Sequence, residues 1–150
     1  MKLKKTKGFS IIELLIVLLI ISILALIANP YYEKYIQNSK VNSSLTGLNF
    51  YRTSIAVCLQ TKIDYKVCNG GKYSIPKNFY NEDIKGIKSI ETKESIVNVV
   101  TSVFLPDLND FIKIKYKPIK KNSVIKWEIS CNDYNIGTII DNCSKQYETK

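Results

Sequence analysis

Twenty consecutive residues, Phe9 to Ala28, read FSIIELLIVLLIISILALIA, and only Ser10, Glu13 and Ser22 among them are polar. At ~1.5 Å of helix per residue this run reaches about 30 Å, the hydrocarbon thickness of a bilayer. A helix that is apolar on every side has no face for water, so it requires lipid or protein all round. Lys2, Lys4, Lys5 and Lys7 precede it, a cluster that keeps this end on the cytoplasmic side. Glu13 is the odd residue. An ionised carboxylate at the bilayer centre costs about 2.5–3.5 kcal/mol, and less near the edge where Glu13 lies, and such a group ordinarily has a partner.

A permanent anchor leaves Glu13 without a role. So does a secretory signal peptide cut after Ala28, which would release a soluble domain beginning at Asn29. A third reading uses every residue. The segment KGFSIIELLIVLLI is similar to the prepilin signature of type IV pilins and pseudopilins: a short basic leader ending in glycine, an aromatic residue, and a glutamate fifth after the cut. The resemblance implies a leader of residues 1–8, cleavage by a prepilin peptidase between Gly8 and Phe9, and N-methylation of Phe9. It implies a hydrophobic half of a spine helix, residues 9–30, that spans the inner membrane and then packs with other copies in a filament. In that arrangement Glu13 of one copy meets the Phe9 amine of a neighbour and sets the axial register. Pro30 lacks a backbone donor and is expected to loosen or kink the helix just before it.

Residues 31–150 form the expected head, which includes the second half of the helix. Val41, Leu45, Leu48, Ile55 and Leu59 recur at helical spacing and make one apolar stripe. Lys34, Asn38, Asn42 and Arg52 tend to other faces. Beyond Lys62 the signals change to loops and strands: a Gly70-Gly71-Pro76 loop, then GIKSIET, IVNVVTSVFL, FIKIKYKPI and VIKWEISC, separated by KES, DLND and KKNS. Pro118 demotes its end of the third strand to an edge or a terminus. The fold class is therefore α+β, a long N-terminal helix packed on a four-stranded antiparallel sheet, as in the pilin head. Trp127 reads as a core anchor. The tail SKQYETK has no assigned role.

Four cysteines, with no CxxC and no histidine to complete a zinc site, point to disulfides in an oxidising compartment. Three connectivities are open, and sequence proximity favours Cys58–Cys68 and Cys131–Cys143. The chain contains no histidine at all. That removes the usual general base and the His-activated nucleophiles, so the composition argues against an enzyme and calls for no cofactor or metal.

The net charge is +9, of which the four leader lysines supply four. Lys113, Lys115, Lys117, Lys120 and Lys121 cluster in the remainder and are candidate DNA or anion contacts on an adhesive or DNA-binding module; a solvated strand face is the plainer account. The expected function is a structural pilus subunit serving motility, adhesion or DNA uptake, with a minor pilin or a type II secretion pseudopilin as the near alternative. Its partners would be other copies, minor pilins, the peptidase, the inner-membrane assembly machinery and membrane lipid. Its route would run from the inner membrane, head in the periplasm, to an extracellular filament.

Overall fold

The computed structural model describes residues 8–61, 64–80, 86–121, 124–140 and 142–148, and positions 29 and 30 by their backbone alone. The leader lysines and the Asn122-Ser123 turn lie outside the described residues. Two compact units divide the chain, one ending at Ile36 and the other running from Gln37.

Helix α1 spans Ile11–Gly47 and helix α2 spans Asn49–Thr61. The backbone is helical at positions 29 and 30, so Pro30 does not terminate α1. The sequence suggests one helix to about Thr61, and the break falls instead at Leu48. There the Leu48 amide donates to the Leu45 carbonyl at 3.0 Å, a three-residue step that tightens the turn. Gly47 precedes the break, and glycine is a poor helix former because it has the most backbone freedom to lose. The α-helical pattern resumes with the Arg52 amide on the Leu48 carbonyl.

The second unit holds the core. Its sheet contains β1 (Ile87–Lys93), β2 (Ile96–Leu105), β3 (Asp110–Lys121), β4 (Val124–Cys131) and β5 (Lys145–Gln146), in that spatial order. The first four pair antiparallel, as the alternating sequence segments imply. The fifth is an addition: the tail pairs parallel with β4 through Ser130–Lys145 and Cys131–Gln146. Alternation places Val97, Val99, Thr101, Val103 and Leu105 of β2, and Ile112, Ile114 and Tyr116 of β3, on one buried face. Val41 of α1, Leu48 at the break, and Ile55 and Leu59 of α2 are buried in the same core cluster, with Leu45 partly buried against it. Pro118 lies within β3, opposite Trp127 of β4. Pairing of β3 with β2 stops at Tyr116, so beyond that residue β3 is an edge on one side, which is where a residue without an N–H is tolerated.

The hairpin between β1 and β2 turns through Glu94 (φ 50°) and Ser95 (φ 67°), both left-handed. Two such residues make the turn whose twist matches a two-residue hairpin, although Asn and Gly usually fill it. Contacts from the segment after α2 hold it: Asn69 Oδ1 accepts the Glu94 amide at 2.8 Å, the Cys68 carbonyl accepts the Ser95 amide at 2.9 Å, and the Ser95 hydroxyl donates to the Tyr65 carbonyl at 2.7 Å.

Candidate functional site

The N-terminal unit is built for an apolar environment. Its 18-residue stretch Ile11–Ala28 has a mean hydropathy of 3.2, and none of it is buried within the molecule. Ser22 hides its polarity by donating its hydroxyl to the Leu19 carbonyl at 2.8 Å. At the start of the helix Gly8 has open space where a Cβ would stand, and Phe9 is 76% exposed.

Glu13 has a partner that the sequence reading missed. Its Oε2 accepts the Ser10 backbone N–H at 2.9 Å, while Leu14 N donates to the Ser10 carbonyl at 3.3 Å. Ser10 is thus the residue before the first helical turn, and Glu13 reaches back to it as the acid of a capping box does. The signal was in the letters: Ser10-Ile11-Ile12-Glu13 is an S-x-x-E pattern ahead of an apolar run. A carboxylate in the first turn also faces the positive end of the helix dipole. The cap uses Oε2, and among the described residues no donor occupies Oε1.

In the second unit Cys58 is bonded to Cys68 and Cys131 to Cys143, with Cα–Cα distances of 6.1 Å in both. The first bond ties the end of α2 to the loop that carries Asn69. The second closes a loop organised by Asp133, which is fully buried. Asp133 accepts from the Thr138 hydroxyl at 3.0 Å and from the Ile139 amide at 2.9 Å. Beyond Cys143 the tail is held by Gln146, whose side-chain amide donates to the Asn132 carbonyl at 3.0 Å.

The strand geometry divides the lysine cluster. Lys113, Lys115 and Lys117 alternate with the buried Ile112, Ile114 and Tyr116 and so share the outer face of the sheet. Lys121 has the same parity, and Lys120 has the other. Lys113 is paired with Asp110 at 2.6 Å. That hydrogen bond is the main reason the Asp110 carboxyl titrates below its usual range. The ammonium of Lys115 donates to the Glu148 carbonyl and lies 4.5 Å from the Tyr147 ring centre. Glu128, opposite Lys117, pairs with Lys145 at 2.8 Å. The tail therefore covers part of this face, and burial raises the Tyr147 hydroxyl pKa.

Arg52 is half-buried, and among the described residues it has no acidic partner. Its guanidinium carbon stands 5.5 Å from the Tyr116 ring and 5.4 Å from the Trp127 ring, and its Nε is buried without a hydrogen-bond partner. Trp127 is thereby half-buried beneath a cation and meets Tyr116 edge-on at 6.5 Å. Cation–π contacts of a half-buried guanidinium contribute about 0.5–2 kcal/mol. Among the described residues no group of three His, Cys, Asp or Glu is placed to hold a metal ion.

Comparison with known proteins points to the same end of the chain. Residues 3–29 match the prokaryotic N-terminal methylation motif. The chain is 28% identical over 134 residues to prepilin peptidase-dependent protein D of Escherichia coli K12, covering 85% of this chain and 84% of that protein. It is 45% identical over 62 residues to the type IV major fimbrial protein FimA of Dichelobacter nodosus, covering 41% of this chain and 40% of that one. It is 29% identical over 133 residues to the type IV major pilin protein PilE1 of Neisseria gonorrhoeae, covering 81% and 73% respectively. The solution structure of the major type IV pilin PpdD from enterohemorrhagic E. coli aligns with a TM-score of 0.49 at 20% identity, over 68% of this chain and 70% of that one. The chain thus carries the N-terminal methylation motif at the head of its apolar helix and is similar to type IV pilins along most of its length.

Proposed function

We propose that the chain is made as a prepilin, cut between Gly8 and Phe9, methylated on the new Phe9 amine, and assembled through its N-terminal helix as a structural subunit of a type IV pilus. The observation that carries this is Glu13, a carboxylate at the fifth position of the mature chain, on a helix whose apolar surface is fully exposed. Before assembly the helix spans the inner membrane with the head on the periplasmic side, where both disulfides are maintained. Other copies, minor pilins, the prepilin peptidase and the inner-membrane assembly machinery are its partners.

The chemistry of assembly follows from charge burial. Cleavage creates an α-amine with a reference pKa of about 7.7–8.0, and methylation keeps it cationic. Moving a subunit from lipid into a filament places Glu13 among apolar helices, where an unpaired carboxylate is costly. Oε2 is already bonded to the Ser10 amide. Oε1 is free to accept from the Phe9 amine of a neighbour. Only one axial offset between parallel helices brings those groups together, so the pairing sets the rise of the filament. The apolar surface supplies adhesion, and the ion pair supplies register.

The test is the mature protein from its own cells, with and without the peptidase. The expected product begins at N-methylated Phe9 and is lost without the enzyme. Glu13→Ala should leave the head folded but abolish filaments. A chain beginning at Asn29, or normal filaments from Glu13→Ala, would overturn the reading.

A further inference from the structure

Three tyrosines follow the apolar run on the same helix, and all are exposed: Tyr31 at 75%, Tyr32 at 63% and Tyr35 at 69%. No hydrogen bond within the described residues uses their hydroxyls. At about 100° per helical residue, Tyr31, Tyr35 and Tyr32 fall near 0°, 40° and 100°, with Lys34 near −60° on the flank. Tyrosines crowded onto one sector outside the core need an explanation other than packing within this chain.

Their height supplies it. The apolar window ends at Ala28. Three to seven residues further, at 1.5 Å each, is about 4.5–10.5 Å beyond the end of the span. A bilayer of about 40–45 Å with a core of about 30 Å has a headgroup layer of roughly 5–8 Å on each side. The tyrosines therefore fall in or just above that layer. The ring of tyrosine is apolar and its hydroxyl polar, so it is most stable where hydrocarbon meets water. The leader lysines fix the opposite end on the cytoplasmic side, which assigns the tyrosines to the other leaflet.

We propose that Tyr31, Tyr32 and Tyr35 form a lipid-binding girdle in the non-cytoplasmic headgroup layer, their hydroxyls donating to phospholipid ester and phosphate oxygens and Lys34 standing beside a phosphate. This rests on the reading that the helix spans a membrane before assembly. The girdle holds the subunit at one depth. Tyr32 is 19 residues from Glu13, about 28 Å of helix, so a fixed tyrosine layer fixes the level at which Glu13 and the Phe9 amine wait at the cytoplasmic face.

The test uses the full-length chain in vesicles of phosphatidylethanolamine and phosphatidylglycerol, with lipids brominated either near the glycerol or near the chain end. Single probes are Tyr32→Trp, Tyr35→Trp and, mid-span, Leu19→Trp; the unsubstituted chain gives the Trp127 baseline in each vesicle. Tyr32→Trp and Tyr35→Trp should emit blue-shifted from water and be quenched at least twofold more by shallow than by deep bromine. Leu19→Trp should show the reverse order. Water-like, unquenched emission from the two tyrosine positions, with Leu19→Trp still quenched by deep bromine, would overturn the girdle and leave the span intact; a face kept for neighbouring subunits gives that pattern. Loss of quenching at Leu19→Trp as well would overturn both. Replacing all three tyrosines by serine in the Leu19→Trp chain should change its shallow-to-deep quenching ratio. An unchanged ratio would overturn the role in setting depth.

Discussion

Tyr116 and Tyr51 bring a pH dependence into the head. Burial raises both hydroxyl pKa values above 10.0, with the Arg52 charge opposing the shift at Tyr116. An acid whose folded pKa exceeds its unfolded value stabilises the fold fully below about pH 10, and that stability is lost as pH rises past it. Tyr116→Phe should change stability at pH 7 by less than about 1 kcal/mol and flatten the loss above pH 10. Urea titrations monitored by circular dichroism at both pH values check this, and an unchanged alkaline slope would refute it. Gly70 is the other sensitive residue. A Cβ there would stand 2.0 Å from Asn78 Oδ1, the atom that accepts the Thr92 amide at 2.8 Å. Gly70→Ala should therefore cost about 1–3 kcal/mol through the lost bond, read as a lowered urea midpoint. Gly70 could be placed in a loop from sequence. Its close approach to Asn78 could not, because the path of the seven intervening residues sets that contact. Ser10 differs: its cap with Glu13 spans three residues and was legible.

At the scale of elements, the four long strands follow their alternation closely, since a period of two with one buried face specifies both span and register. The two-residue strand β5 had no such signal. It exists because Cys143 is bonded to Cys131 and carries the tail back beside β4, where the Tyr147 amide donates to the Cys131 carbonyl at 2.9 Å. The loop-entropy model gives a bond closing 12 residues about 2–3 kcal/mol. Replacing both Cys131 and Cys143 by serine should lower stability by about that amount and expose the Tyr147 amide to rapid hydrogen exchange. Continued protection of that amide would mean that β pairing alone fastens the tail. The lysine cluster was visible as composition, but only the strand parity and the tail decide which ammonium groups stay open to solvent.

The whole molecule is two units with opposite solvent requirements. The first exposes an apolar helix, and the second begins its core at Val41. A fragment of residues 37–150, exported to an oxidising compartment, should fold cooperatively and stay monomeric without detergent, whereas the full chain should require lipid or detergent. Size-exclusion chromatography and a urea melt check both statements, and an aggregated or unfolded fragment would refute the division. Together with the loss of filaments expected for Glu13→Ala, that outcome would separate the means of assembly from whatever the head presents. By itself the sequence determined the apolar run with its one acid, the stripe on the helix and the spans of β1 to β4, because periodicity and composition act over a few neighbouring residues. The tertiary structure alone decided the left-handed turn at Glu94 and Ser95, the seat of Arg52 on Tyr116 and Trp127, and the fifth strand. Each of these depends on groups far apart along the chain, whose contacts exist only once the helix and sheet have closed on one another.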